Sequence, residues 1–253
     1  MSQISIITPV LNGIRFIEFC VKNVISQQCP DCEHIILDGG STDGTVDLVR
    51  SYAEKYSHIS WLSEKDRGQA DAMNKGIAMT NSSILGVLNA DDFYQPDILD
   101  RIVARFKTLK EPALLVGNCN VWDDHEKIVE INKPSKLKIV DLMMGWTINP
   151  YPTNPSQYFY HKSLHDKIGM YDSEEHYSLD IDFLTRAVQQ ANVTYVDEVW
   201  GNYRKIRGTK TMMDLESGQC VPRFKAVLEK YRKQLSLPSR VEIAFKRTYH
   251  KLF

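Results

Sequence analysis

The order in which apolar segments recur along the first 120 or so residues constrains this chain more than any other feature. Short runs rich in β-branched residues fall at 4–10, 34–38, 59–64, 84–89 and 113–121, each the length of one strand. Between them, residues 16–28, 45–56, 68–79 and 95–109 place apolar side chains three and four apart, as in Ile98, Ile102, Val103 and Phe106, the spacing of one helix face. Strand and helix alternating in this way build right-handed βαβ units, so the expected architecture is α/β, a mostly parallel, Rossmann-like sheet flanked by helices. Ligands of such sheets bind beyond the carboxyl ends of the strands. That rule gathers at one edge Thr8, Pro9 and Asn12 from the first strand, Asp38 from the second, and the adjacent Asp91 and Asp92 from the fourth.

Two neighbouring carboxylates repel unless a cation or a proton lies between them. A divalent metal meets that requirement, and oxygen-only ligation selects magnesium or manganese. The alternative is that Asp92 caps the helix beginning near Pro96 while Asp91 faces solvent. Asp38 precedes the glycine-rich turn DGGSTDGT. Gly39 and Gly44 have P-loop spacing, but Thr45 and Val46 stand where Lys and Ser or Thr are required, and G-x-G-x-x-G is absent. ATPase and nicotinamide readings therefore lose their support. The glycines read as a tight strand-to-helix turn with Thr42 or Asp43 capping, while Asp38 is placed to accept the imide N–H of a base.

Composition removes further classes. With 43% hydrophobic and 25% charged residues over 253 positions, the chain is neither disordered nor fibrous and is long enough for one large domain. No apolar run approaches the roughly 20 residues of a membrane-spanning helix, and the N-terminus lacks the marks of a signal peptide, so a cytoplasmic protein is expected. Five cysteines, an odd number, argue against a disulfide framework, and the C-x-x-C of Cys29 and Cys32 has no second pair for zinc. Charge is uneven: nine Lys or Arg against two Glu give residues 221–253 a net of +7, which leaves −8 on the first 220. Nucleic acid is not among the expected partners.

The stretches SIITPVLNG, ILDGGSTDGT, SEKDRGQADAMNKGI and GVLNADD, in this order, resemble the N-terminal half of family 2 glycosyltransferases of the GT-A fold. The resemblance covers roughly the first 125 residues, and four ordered motifs are far more specific than any one of them. It implies inverting, metal-dependent transfer of a sugar from a nucleotide-diphosphate donor to a hydroxyl of a saccharide or lipid-linked saccharide, in bacterial surface polysaccharide or lipopolysaccharide synthesis. A UDP-sugar is the first expectation, with GDP- and dTDP-sugars as alternatives. Asn89, Ala90, Asp91 and Asp92 occupy the place of the family's D-x-D motif, with Asn where its first Asp is commonest. The resemblance gives Mn2+ or Mg2+ to Asp92 and gives Asp91 the ribose or a supporting place beside the metal. It also implies that Asp38 contacts the base, that Thr8, Pro9 and Asn12 form its pocket, that Asp66 and Arg67 close over the nucleotide, and that Asn74 is structural.

The family's general base is the Asp of a Glu-Asp pair that opens a helix after G-x-(Tyr/Phe)-Asp. The match, in IGMYDSEEHYSLDIDFLTRA, is Asp180, with Leu179 in the Glu position and Asp182 and Glu175 as competitors. The stretch GWTINPYPTNPSQYFYHK, with three prolines and five aromatics, reads as a lid or acceptor platform that is neither helix nor central strand, and offers Trp146, Tyr151 and Gln157 to a sugar. After a last strand-like segment at 193–203, Arg204 and Lys205 would meet the diphosphate.

Residues 1–207 are thus the expected GT-A catalytic domain, with a nucleotide-sugar half to 125 and an acceptor half from 126, and 208–253 a basic helical extension. In the extension Phe224, Val227, Leu228 and Tyr231 form one stripe. Val241, Ala244, Phe245, Tyr249 and Leu252 form another, flanked by Lys246, Arg247 and Lys251. Such an end suits either peripheral contact with the inner face of a membrane or packing on the protein. Two other classes remain in view. A sugar nucleotidyltransferase would carry a Gly-rich, Arg- and Lys-containing loop after the first strand, which TPVLNGIRF does not supply, and a non-catalytic nucleotide- or sugar-binding protein would have no use for Asp180.

Overall fold

Strand β1 (Ile4–Val10) pairs in parallel with β2 (Cys32–Asp38) on one side and β4 (Ile84–Val87) on the other, and β3 (Ile59–Ser63) extends β2. The crossovers are α1 (Ile17–Ser26), α2 (Thr45–Lys55) and α3 (Gln69–Met79). These are the segments that the apolar periodicity marks. The structure, a computed structural model, describes residues 2–252, without the side chains of 251 and 252, so Lys251, Leu252 and Phe253 lie outside the described side chains.

The second half adds β5 (Phe93–Tyr94), α4 (Leu99–Phe106), β6 (Ala113–Trp122), β7 (Ile128–Asn132), α5 (Ile139–Leu142), β8 (Tyr158–His161), α6 (Leu164–Ile168), α7 (Leu179–Ala187) and β9 (Asn192–Arg204). Together the strands make one mixed sheet in the order β3-β2-β1-β4-β8-β6-β9-β5, with β7 against β6. Parallel pairing runs through the first four strands; β8 then enters antiparallel to both β4 and β6, and β9 returns parallel to β6. One expectation needs correction. Residues 145–162 are not loop throughout, because Tyr158–His161 is a central strand with all four side chains buried. The prolines at 150, 152 and 155 all precede it, so the ladder loses no donor.

Period-two alternation sends Ile4 and Ile6 to one face with α1 and α4, and Ile7 to the other with Phe183 of α7. Three helices follow β9: α8 (Lys210–Glu216), α9 (Cys220–Gln234) and α10 (Leu237–Leu252). The α9 stripe of Phe224, Val227, Leu228 and Tyr231 is buried in the same cluster as Leu142 and Phe183, each such side chain contributing about 1.5–3 kcal/mol. Helix α9 therefore ties the segment after β9 to the sheet-bearing body. Helix α10 differs: Ile243 is buried, whereas Val241 and Phe245 are exposed.

Candidate active site

Val10 and Asp38 lie opposite each other where β1 and β2 end. Asp38 is 3% exposed, and its Oδ2 accepts from the N–H groups of Gly40 and Ser41, both at 3.0 Å, and from the Ser63 hydroxyl at 2.7 Å. Gly40 adopts φ +92°, which turns the loop back over the carboxylate. Oδ1 is buried and has no partner, so Asp38 keeps one acceptor for a donor that the protein does not supply. Asp66 lies above this turn: a Cβ at Gly39 would come 2.7 Å from its Oδ2, and its Oδ1 accepts from the Gly68 N–H at 2.9 Å. Asp38 and Asp66 share a small recess with Leu62 and Ala72. Arg67 is exposed and leans on Asp71 at 3.4 Å.

Asn12, at φ +49°, accepts from the Thr42 N–H at 3.0 Å and donates its own N–H to Ser41 Oγ at 2.7 Å, joining the two loops. Pro9 is half-buried at the strand end. Thr8 requires correction. Its side chain has no exposed surface and its hydroxyl lies 2.9 Å from His34 Nε2, so it braces β1 and β2 beneath the cleft and does not line a base pocket. Gly44, at φ +97°, is the N-cap of α2, and Asp43 just before it accepts from Thr45 N–H and Oγ1 at 3.1 and 2.6 Å. Asn74 binds Tyr171 through its N–H at 3.0 Å and its carbonyl at 2.9 Å, the structural role expected of it.

The acidic turn follows β4. Asp92 is 1% exposed, its Oδ2 accepting from Asn154 Nδ2 at 2.7 Å and Asn89 Nδ2 at 3.1 Å, and its Oδ1 from the Arg204 N–H at 2.9 Å. Pairing of Phe93 with Asn202 brings Arg204 there. Gly201 lets the 155–157 turn close against β9, since a Cβ would fall 2.1 Å from Ser156 Oγ. That turn carries Asn154 to Asp92, with Asn154 Oδ1 capping it through the Ser156 N–H at 2.9 Å. Arg204 donates its Nε to the Asp91 carbonyl, and its guanidinium sits among Phe16, Phe19 and Phe93, 5.9, 5.0 and 5.9 Å from their centroids. Its Nη2 is buried without a partner. Arg204 thus stands behind the acidic turn, where it offsets the like charges.

These contacts distinguish the two acids of the turn. Asp92 does not cap α4, which begins at Leu99, and both its oxygens already accept from donors in a buried site. Asp91 is half-buried, and its carboxylate makes no hydrogen bond to another residue among those described. Burial raises the carboxyl pKa of both; for Asp92 the Asp91 charge adds to this and the three donors oppose it. The described residues hold no cluster of three His, Cys, Asp or Glu fit for a metal. One open carboxylate nonetheless suits Mg2+ or Mn2+, which are commonly held by one or two carboxylates together with phosphate oxygens and water. Asp91 fits a metal that arrives with a diphosphate.

Asp180 opens α7. Its Oδ1 accepts from the Tyr158 hydroxyl at 2.7 Å, and burial pushes its pKa up against that hydrogen bond and the charge of Lys210. Its competitors are occupied. Glu175 Oε1 accepts from the N–H groups of Tyr177 and Ser178, both at 2.9 Å, which fixes the entry to α7. Asp182 is 6% exposed, paired with Arg186 at 2.8 Å and accepting from the Tyr231 hydroxyl at 2.5 Å, so it ties α7 to α9. Among the described residues Asp180 accepts from a single donor, the fewest of the three.

The expected acceptor platform is largely core. Tyr151 is 3% exposed and its hydroxyl donates to the Ile181 carbonyl at 3.2 Å; Gln157 is fully buried and donates to Asn132 Oδ1 at 3.0 Å. Neither side chain reaches the surface. Trp146 is partly exposed and stacks on Phe224 of α9, with centroids 4.0 Å apart. Asn154, Gly201 and Tyr158 are the contributors that sequence reasoning missed. The Asn-Pro-Ser of residues 154–156 carried a legible cap signal, but nothing in it names Asp92 as the second partner.

A four-stranded parallel half-sheet continued by a mixed half is the architecture of GT-A glycosyltransferases. The sequence model of glycosyl transferase family 2 matches residues 5–167, and the chain belongs to that family. A PGL/p-HBAD biosynthesis glycosyltransferase of Mycobacterium bovis is 37% identical over 114 residues, 44% of each chain, and Escherichia coli chondroitin synthase 29% over 119 residues, 47% of this chain and 17% of the synthase. The chain thus spans less than half the length of these curated relatives. S. aureus TarS 1-349, solved with UDP-GlcNAc, shares the fold at TM-score 0.67 and 18% identity over 84% of this chain and 61% of that one. The mannosyltransferase PcManGT of Pyrobaculum calidifontis, solved with GDP-Man and Mn2+, superposes at TM-score 0.58 and 18% identity over 99% and 81%.

Proposed function

We propose that this chain transfers a sugar from a nucleoside-diphosphate donor to a hydroxyl of a saccharide or lipid-linked saccharide, with inversion. One observation carries the reading: among the acids of the cleft, Asp92 and Asp182 accept hydrogen bonds at both oxygens and Glu175 is held by two backbone N–H groups, while among the described residues Asp38 Oδ1 and the Asp91 carboxylate accept from no other residue and Asp180 accepts from one hydroxyl. Asp38, Asp91 and Asp180 match the three needs of the reaction. Asp38 Oδ1 accepts the imide N–H of the base. Asp91 holds Mn2+ or Mg2+ with the diphosphate, and the ion, when bound, neutralises the charge that builds on the leaving group. Asp180 takes the proton of the acceptor hydroxyl as its oxygen attacks the face opposite the departing diphosphate, and the Tyr158 hydroxyl keeps the carboxylate oriented.

Asp66, on the Gly39 turn, and Arg67 cover the nucleotide, and Arg204 stabilises the acidic turn with Nη2 left for a phosphate oxygen. The relatives with UDP-GlcNAc and with GDP-Man and Mn2+ favour a donor of that class, with UDP first and GDP or dTDP as alternatives. Residues 1–207 act as the catalytic unit, divided near 125, and 208–253 as its helical extension, in surface polysaccharide assembly on the cytoplasmic side. No helix among the described residues is long and apolar enough to cross a membrane. A nucleotidyltransferase or a non-catalytic binder gains no support from an Asp180 with a single donor.

The test is a thermal-shift screen with UDP, GDP, dTDP and CMP, each with and without Mn2+. One nucleoside diphosphate at 100 times its Kd, with Mn2+, is expected to add about 2.7 kcal/mol. No shift with any of them would sink the donor assignment.

A further inference from the structure

Helix α10 has two apolar faces. Ile243 enters the core at 4% exposure, while Leu237, Val241 and Phe245, one turn apart on roughly the opposite side, are 71%, 60% and 73% exposed. Beside that stripe, between α9, α10 and residues 144–147, runs a groove of about 880 Å3. Its floor is apolar, built on Trp146 stacked against Phe224 and on Ile243. Its walls carry Lys225, Arg232, Lys233, Arg240 and Arg247 against one acid, Glu229, which lies 3.9 Å from Lys233. Among the described residues Lys225, Arg232, Arg240 and Arg247 make no ion pair. Arg232 donates to the Met143 carbonyl, and burial together with the charge of Arg247 lowers its pKa. Tyr151, whose hydroxyl reaches the Ile181 carbonyl, sets its ring edge-on to Phe224 at 5.9 Å, so the groove lies one aromatic layer from the first turn of α7.

An occupant must answer both features, an apolar stripe facing away from the protein and four cations that make no ion pair among the described residues, with Glu229 the one acid in the groove. A second copy related by a two-fold axis would bring like-charged walls together. An acidic soluble protein would match the cations and leave Leu237, Val241 and Phe245 in water. An anionic lipid surface meets both, with phosphates for the cations and the acyl boundary for the stripe. Whole-chain charge sets the approach, since +7 on residues 221–253 is drawn in and −8 on the first 220 is held off.

We propose that the α9–α10 face docks this protein on an anionic phospholipid membrane, with α10 lying in the interface plane and lipid phosphates at the groove. None of the cleft acids takes part, so the docking face stands independently of the transfer reaction.

The experiment is co-sedimentation of the 253-residue chain with vesicles of phosphatidylcholine alone and with about one third phosphatidylglycerol. Binding is expected to be at least about tenfold stronger on the anionic vesicles and to weaken as salt rises. Val241→Glu with Phe245→Glu, and separately Arg240→Glu with Arg247→Glu, should each weaken it at least about tenfold while the thermal midpoint is unchanged. Equal binding to both vesicle types, no binding to either, or undiminished binding by either double variant overturns the proposal. So does a dimer in light scattering that Val241→Glu with Phe245→Glu dissociates without any vesicle binding. The nucleotide-dependent thermal shift is read in the same samples, so failure of the donor assignment and failure of the docking face are separate results.

Discussion

Replacing Asp92 and Asp91 in turn by alanine separates a structural acid from a metal-holding one. Asp92→Ala removes the acceptor of three donors, the Asn89 and Asn154 amides and the Arg204 N–H, at a site with 1% exposure. Each buried donor left unpaired costs about 1–3 kcal/mol. Relief of a desolvated charge beside Asp91 returns part of this, as does any water entering the vacated space, so the expected loss is about 3–5 kcal/mol. At roughly 2–4 °C per kcal/mol for a chain of this size, the midpoint falls by about 6–20 °C. Asp91→Ala removes no such acceptor and relieves a buried like charge, so its midpoint should stay within about 1 kcal/mol of the parent or rise. The assay is thermal unfolding of both variants, with and without UDP and Mn2+. Asp91→Ala should keep its fold and lose the Mn2+-dependent nucleotide shift. An Asp92→Ala protein that unfolds at the parental temperature yet loses that shift would refute the reasoning and return the metal to Asp92.

Asp180→Asn should reduce transfer by about 10²–10⁴-fold and spare nucleotide binding, with retained transfer excluding Asp180 as base. Because burial raises the Asp180 pKa above its unfolded value, stability tied to the protonated acid is present at low pH and lost as pH rises through the folded pKa. Asp180→Asn should therefore match or exceed the parent's midpoint at neutral pH, and a clear drop would contradict this. Transfer should fall as pH drops through that raised pKa, and Tyr158→Phe, by removing the opposing hydrogen bond, should move the falling limb to higher pH; an unmoved limb would dismiss Tyr158 as a positioning residue. Asp38→Asn presents a donor where the base offers one, and should weaken nucleotide affinity about 10–100-fold, read as a smaller thermal shift. Mn2+ without nucleotide should leave the midpoint unmoved, since the described residues hold no three-ligand cluster; a shift with the ion alone would reveal a resident site.

Much of the first half of the chain was legible in order of residues alone. The strands ending at Val10 and Asp38 and the helices after them follow from apolar periodicity, and the switch-point rule then places Asp38 and Asp91 at one edge with no knowledge of contacts. Local chemistry was partly readable: the glycine-rich stretch is the tight turn into α2, but its N-cap is Gly44 where Thr42 or Asp43 was expected, and Asp43 binds Thr45 from one residue earlier. The second half was less readable, since four aromatic and polar residues in a row, Tyr158–His161, resemble loop until β4 and β6 are on either side of them.

The sequence by itself determined which residue types crowd the cleft and on which strand ends they stand, because backbone periodicity and turn chemistry act over a few neighbours. Only the tertiary structure decided which acids are spent and which are open. Asp91 and Asp92 are adjacent and chemically identical, and what distinguishes them is Asn154, 62 residues away, and the backbone N–H of Arg204, 112 residues away. The same holds for Asp182, paired with Arg186 one turn on and hydrogen-bonded by the Tyr231 hydroxyl of α9, and for Tyr151, which the packing of α7 takes out of reach of a sugar. A carboxylate is available to a ligand when the fold has left it short of donors, and that shortage is set by long-range packing that no local pattern records.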